Sequence, residues 1–250
     1  MDYPQWKSTA QVPTNFATKY EKDPDLEKIL KGKRIALIGP SSHILGKGLG
    51  EKIDSYDIVV RIGQFFEIPE NMFADLGKKT NVVAHSFNQF QIPKCDKKFL
   101  NSLDFVMCSM ASLDFKGSHD AFLKSLTTKT YNVPDSFFYK ICKDTGTIVN
   151  SGFAALVILL QYDIKELFVT GYSFYNMGKY GDVYYDDYEK KAKSTAIRTK
   201  GEFKKITPQQ ARHDLHNQES QIQRFSKLIK EHKEITLDEY LKENFKRDED

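Results

Sequence analysis

KRIALIGPSSHILGKGLGEKIDSYDIVVRIG, residues 33–63, is the stretch on which the fold turns. Ile35 to Ile38 is an apolar run closed by Gly39-Pro40, and Ile58 to Ile62 is a second, β-branched run interrupted by Arg61. Each has the length and composition of a buried parallel strand. Between them Ser41, Ser42, Gly46, Gly48 and Gly50 lead into a segment where Leu45, Leu49 and Ile53 recur at helical spacing. A serine-glycine turn at a helix start exposes backbone N–H groups and the positive end of a helix dipole, an arrangement that binds anions.

The spacing is not that of a P-loop, which requires G-x-x-x-x-G-K-[ST]. It is also a poor dinucleotide fingerprint: the glycines come late after the strand, and the second strand ends in Arg61-Ile62-Gly63 rather than in an acid that grips a ribose. Arg61 leaves open an NADP-type reader, hence an NAD(P)-binding oxidoreductase.

Outward from this unit the chain alternates strands and helices, which predicts an α/β, Rossmann-like, mostly parallel sheet with flanking helices in a single domain over 23–250. At 250 residues with 40% apolar content, one sizeable core is expected. Residues 1–22 are polar and read as an arm over that core. Asp23-Pro24 looks like a cap with proline at the first helical position, followed by Leu26, Ile29 and Leu30 as a stripe. Further strands are expected at Thr80 to His85, Phe105 to Met110 and Lys129 to Val133, with a helix near Ala121 to Leu126. His85 ends its strand as a capping or packed histidine, at the edge where ligands gather. Between 87 and 144 nothing else is specific, and an insert that selects an acceptor fits there.

Residues 145–175, TGTIVNSGFAALVILLQYDIKELFVTGYSFY, repeat the design. Ser151-Gly152 precedes a helix with Phe153, Leu156, Val157 and Leu160 on a wide apolar face, and Leu167 to Thr170 forms a strand ending in Gly171-Tyr172. Residues 174–206 turn polar and aromatic, with Tyr184 and Tyr185, and read as a mobile loop over the site. Asp186-Asp187 in that loop lack the strand-following D-x-D pattern of a metal site. Helices are expected over 208–246: Pro208 opens a region whose stripe is Leu215, Ile222, Phe225, Leu228 and Ile229, with His213 and His216 near its start, and Leu237 to Phe245 form a last amphipathic piece.

These segments resemble the motifs of the sialyltransferases, glycosyltransferase family 29. The long motif is matched by GPSS at 39–42, LGKGLGEKIDSYDIVVRIG at 45–63 and LGKKTNVV at 76–83; the short one by Ser151-Gly152 and the strand ending at Gly171-Tyr172. VYYD at 183–186 is similar to the third motif, H-Y-Y-[DE], with Val183 in place of its histidine. His216 is the better match to the histidine of the final motif and His213 the alternative. Gln221 stands five residues after His216, where the family carries glutamate. Pro40 and Gly63 occupy positions where the family carries donor-binding asparagines, so only backbone contacts are expected there.

The resemblance implies the GT-A-like sheet of that family. It also implies a CMP-sugar donor held by Gly39, Pro40, Ser41, Ser42, Arg61, Gly63, Ser151, Gly152, Gly171, Tyr172, Tyr184 and Tyr185. His216 (or His213) would be the base that deprotonates a glycan acceptor, in an inverting transfer of sialic acid or a related keto-sugar acid, with no metal and no cofactor. A CMP-Kdo transferase shares this chemistry, and a non-catalytic nucleotide-binding protein is the reading if the missing polar residues have ended catalysis.

A net charge of +3 with no dense basic patch disfavours nucleic acid as a partner. Three cysteines, Cys95, Cys108 and Cys142, lack both C-x-x-C spacing and an even count, which points to a reducing compartment. The animal and plant enzymes of the family are membrane-anchored and join their two main motifs by a disulfide. Neither motif here carries that cysteine, and no apolar run approaches the ~20 residues of a transmembrane segment. A cytoplasmic protein of bacterial or viral type is expected, with at most peripheral membrane contact.

Overall fold

The computed structural model describes residues 20–63, 67–87, 92–110, 118–174 and 217–245. Asp23 accepts the Leu26 N–H at 2.8 Å and Pro24 fills the first helical position, so α1 (Pro24–Leu30) starts where its cap predicts. It buries Leu26 and Leu30. The chain then enters β1 (Arg34–Ile38), passes through α2 (Gly50–Asp54) and returns in β2 (Ile58–Ile62), parallel to β1 with Ile38 opposite Arg61.

Among the described residues five more strands follow: β3 (Val82–His85), β4 (Phe105–Cys108), β5 (Lys129–Asn132), β6 (Glu166–Thr170) and β7 (Ile235–Leu237). They form one sheet in the order β5-β4-β3-β2-β1-β6-β7, and every pairing is parallel. Alternate residues face opposite layers. Ile35 and Leu37 of β1 join the core beneath α1, α6 (Asp135–Thr145), α7 (Ser151–Leu159) and α8 (Gln218–Glu231), whereas Ala36 and Ile38 pack toward α2 and α3 (Phe73–Leu76). Under α4 (Lys97–Asn101) and α5 (Ser118–Lys124), Val83, Val106 and Cys108 continue that second layer. Helix α7 is apolar on nearly every face, because it lies between the sheet and α6 with Phe153, Ala154, Leu156 and Ile158 all buried. The short helix α9 (Glu239–Asn244) ends the described chain and buries Leu241.

The segment after β1 differs from the single helix its leucine spacing suggests. It is one 3₁₀ turn (Ser42–Ile44) followed by the five-residue α2, because Gly46 and Gly48 sit at φ +75° and +62° and interrupt the helix. Their N–H groups, expected to await an anion, donate instead to the two oxygens of Asp75 at 2.7 and 2.8 Å. Between 87 and 145, where one helix was expected, the described residues include two further α-helices, α4 and α6, and β7 occupies the start of the last amphipathic piece. Of the arm expected at 1–22, residues 1–19 lie outside the described residues, and Tyr20 shares hydroxyl hydrogen bonds with Tyr131 and Tyr162.

Where β1 and β6 leave the sheet, a Cβ on Gly39 would stand 2.3 Å from Gly171 O, and one on Gly171, at φ +72°, would stand 2.3 Å from Gly39 O. At Gly32, by contrast, φ is +68° but nothing lies within 4 Å. Gly32→Ala is therefore expected to cost about 1 kcal/mol of backbone strain. Gly39→Ala and Gly171→Ala should each cost about 3 kcal/mol or more, since backbone must move apart. Urea denaturation of the three variants measures the contrast; equal losses would mean that the strand ends separate freely.

Candidate functional site

Sheet order reverses at β1: β2 to β5 extend to one side, β6 and β7 to the other. In an open parallel sheet, ligands bind beyond the strand C-termini at this switch point. Gly39 donates its N–H to Thr170 O at 2.8 Å, and Ser41 donates its N–H to Gly171 O at 3.0 Å, which sews the two departing chains together. Tyr172 lies against Gly39 and Gly152 and donates its hydroxyl to Gly152 O at 3.0 Å. Ser109, just past β4, donates to Ser151 O at 3.0 Å. Residues 39–42, 151–152 and 171–172 thus meet on one edge. Gly63, at the end of β2 on that edge, has its open side facing the His85 ring, 3.4 Å from where a Cβ would be.

Several predicted ligand contacts prove to be internal. Arg61 is wholly buried, with its guanidinium turned to the loop that precedes β3: Nη2 donates to Leu76 O (2.7 Å) and Lys79 O (2.8 Å), and Nε to Thr80 Oγ1 (2.9 Å). It holds a loop rather than a nucleotide, and the NADP-type reading of Arg61 falls with that placement. Ser41 is buried, and its Oγ lies 3.0 Å from His43 Nδ1. Tyr172 is buried too, and burial pushes its phenol well above the usual range. The backbone cradle expected of the first turn is not formed by residues 39–41: Gly39 and Ser41 amides bond to the β6 end, and Pro40 has none. Gly63 likewise donates its N–H to Ala84 O at 3.1 Å. Pro40, Ser42, Gly63 and Ser151 stay partly exposed along the edge. Tyr184, Tyr185, His213, His216, Val183 and the Asp186-Asp187 pair lie outside the described residues.

The start of α7 is built from both sides. Asn150 caps it, accepting the Phe153 N–H at 2.9 Å. Gln221, buried in α8, accepts the Asn150 N–H at 3.2 Å, and Asn217 donates its N–H to Thr147 Oγ1 at 2.9 Å. The chain immediately after His216 is therefore anchored to the loop that leads into Ser151. Two non-glycine residues at positive φ, Phe87 (+45°) and Phe174 (+51°), follow the ends of β3 and β6 on the same edge. Strained backbone of this kind gathers at functional sites. Unnoticed in the sequence were His43 and Asp238, which meet at 3.3 Å at the ends of β1 and β7. They stand 195 residues apart, so no local spacing could reveal them.

His85 closes the edge beneath Gly63. Burial pushes its pKa down to about 3, so the ring is neutral, and Nδ1 accepts the Phe87 N–H at 3.1 Å.

Comparison with known proteins agrees on one family. The model of "Glycosyltransferase family 29 (sialyltransferase)" matches residues 4–153, more than half of the chain. The CMP-N-acetylneuraminate-beta-galactosamide-alpha-2,3-sialyltransferases 2 of Mus musculus and Rattus norvegicus are each 24% identical over 121 residues, covering 48% of this chain and 32% of theirs. The matched segment thus spans about a third of those relatives. The structure of the sialyltransferase CstII from Campylobacter jejuni, solved with the substrate analogue CMP-3FNeuAc, superposes with a TM-score of 0.52 at 21% identity and covers 85% of both chains, which shows a shared fold.

The buried His85 makes a prediction about acid stability. Its folded pKa lies below the unfolded value of about 6.5, so the unfolded chain takes up the proton first. His85's contribution is present above pH 6.5 and is lost as pH falls toward about 3, at close to 1.4 kcal/mol per pH unit. His85→Gln should flatten the pH dependence of unfolding free energy in that window by nearly one proton. Urea melts at several pH values between about 4 and 6.5 test it; parallel slopes would assign His85 an ordinary pKa.

Proposed function

We propose that this chain, which belongs to glycosyltransferase family 29, the sialyltransferases, transfers sialic acid from a CMP-activated donor to a hydroxyl of a glycan acceptor. The observation that carries the reading is that the family match covers the long motif and reaches the start of α7, while the matched turns flank the switch point of a parallel sheet. The family match favours sialic acid over Kdo as the keto-sugar acid, and Arg61's internal bonding leaves the oxidoreductase reading without its nucleotide contact.

A sugar bound to CMP already carries a good leaving group. The enzyme must take the proton from the acceptor hydroxyl and hold the phosphate as it departs. We assign the first task to His216, whose imidazole type is neutral yet basic near physiological pH. The acceptor oxygen attacks the anomeric carbon as the bond to the phosphate oxygen breaks, the configuration inverts, and His216 receives the proton. With the amides of Gly39 and Ser41 already engaged, we assign the phosphate to Tyr184 or Tyr185 and to the N-terminal turn of α7 at Ser151-Gly152. Residues 39–42, Gly63 and Gly171 then wall the nucleotide. The anchoring of Asn217 beside that turn supports His216 over His213. No divalent ion is required by this chemistry, and we place the chain in a reducing, cytoplasmic setting. In support, none of its three cysteines forms a disulfide, and among the described residues no helix is long and apolar enough to cross a membrane.

CMP should raise the melting temperature where NADP and UDP do not, by mass action on the native state. His216→Ala should lower turnover by about 10²- to 10⁴-fold with CMP affinity nearly unchanged, and His213→Ala far less. Turnover in excess EDTA should persist. If His213→Ala is the inactive variant, the base is assigned three residues too late; if neither variant loses turnover, the transferase mechanism fails.

A further inference from the structure

Four side chains from three parts of the chain, Ser41, His43, Thr170 and Asp238, meet where β1, β6 and β7 end. Asp238, the residue after β7, accepts at Oδ2 from Thr170 Oγ1 (2.6 Å) and pairs there with His43 Nε2 (3.3 Å), while its Oδ1 caps α9 by accepting the Leu241 N–H (2.8 Å). His43 Nδ1 lies 3.0 Å from Ser41 Oγ, and its ring stacks on Tyr240 with centroids 4.2 Å apart. The side chains of His43 and Asp238 are each 5% exposed. Burial alone would raise the Asp238 carboxyl, but hydrogen bonds from His43, Thr170 and the Leu241 amide outweigh it and hold the group below the ordinary carboxylate value. An ionised carboxylate only accepts, so Thr170 Oγ and His43 Nε2 must both donate to it. That fixes the Nε2–H tautomer. In a neutral ring Nδ1 is then the acceptor, and Ser41 donates its hydroxyl to it.

Serine, histidine and aspartate in a row suggest a hydrolytic triad, but the geometry excludes one. In that device the serine pairs with Nε2 and the acid with Nδ1, and the hydroxyl must reach a substrate. Here the ring nitrogens are exchanged and Ser41 is 1% exposed. The chain of bonds fixes backbone instead. Its first member, Ser41, also donates its N–H to Gly171 O, and its last, Thr170, accepts the Gly39 N–H at its carbonyl. Apolar side chains could fill this position without desolvating a charge, so the fold alone has no need of an ionic group there.

We propose that His43 and Asp238 are positioning residues for the donor nucleotide: acting through Ser41, they hold the 39–42 turn at the switch point in the shape that receives CMP, so that the β7–α9 segment is coupled to donor binding. This rests on the transferase reading.

Asp238→Asn isolates the effect, because asparagine still caps α9 through its carbonyl oxygen while presenting an NH₂ to His43. The imidazole must then adopt the Nδ1–H tautomer and Ser41 must turn from donor to acceptor. The CMP dissociation constant and the donor KM should rise roughly tenfold, the scale of one charge-assisted hydrogen bond. The kcat should stay within about twofold, and the urea midpoint should move little. Thr170→Val, which removes one donor to Asp238 and keeps the side-chain shape, should shift CMP affinity in the same direction and carries the test if Asp238→Asn does not fold. Long-range ¹H–¹⁵N spectra of the imidazoles should find His43 protonated at Nε2 in the wild type and at Nδ1 in Asp238→Asn. Wild type and both variants binding CMP equally would overturn the positioning role, as would a wild-type His43 protonated at Nδ1 or an affinity loss that only tracks lost stability. A wild type that binds no CMP would instead overturn the transferase reading and the role with it.

Discussion

Gly39 and Gly171 touch backbone to backbone where β1 and β6 leave the sheet, and the geometry of the whole C-terminal edge depends on that contact. Because neither residue has a side chain, Gly39 N–H can reach Thr170 O and Ser41 N–H can reach Gly171 O, extending strand pairing past the nominal strand ends. The absence of side chains also leaves room for the Tyr172 ring, which would lie 2.8 Å from a Cβ on Gly39 and 3.3 Å from one on Gly152. One close approach therefore sets the distance between the first turn, the end of β6 and the start of α7. The three segments that share it are drawn from both of the chain's main motifs.

The central strands were legible in the sequence because a parallel strand covered on both faces reads as an unbroken apolar run, and glycine marks where it stops. Hence β1, β2 and β6 begin and end within a residue of their expected bounds. What escaped depends on distant partners. Strand β7 is three residues long and pairs with β6 across more than sixty residues. Helix α6 buries Phe137, Phe138, Ile141, Cys142 and Thr145 at helical spacing, a stripe that could have been found, but no motif drew attention to it. Most instructive are the glycines at 46 and 48. Their free amides were a sound inference from the turn, and the acid that takes them up, Asp75, lies outside any local pattern. The site was legible as a location, at strand ends and helix starts. Which of its donors remain for a ligand was not, because that is decided by tertiary hydrogen bonds.

Arg61 shows the same competition from the other side. A cation inside an apolar run reads either as a ligand contact or as a buried structural charge. The carbonyls of Leu76, Gly77 and Lys79 resolve it: the first is the last residue of α3, the other two follow in the loop, and the guanidinium donates to all three. Asp54 completes the stitch by accepting the Lys78 and Lys79 amides at 2.9–3.0 Å. The 76–80 loop is thus held through its carbonyls by a base and through its amides by an acid.

With amides at 39, 41 and 63 bonded within the protein and proline at 40, the first two turns offer shape and carbonyl oxygens more than N–H donors. An anion needs donors, and a nine-residue helix beginning at Ser151 supplies them together with its dipole. That helix start is in turn fixed by Asn150, Gln221 and Ser109, three polar side chains from three elements. On the proposed reading the work of binding is divided accordingly: the β1 and β2 turns define where the nucleotide lies, and the α7 start, braced by α8, carries the charge. A substitution in α8 at Gln221 would then act on the phosphate end of the proposed site through Asn150.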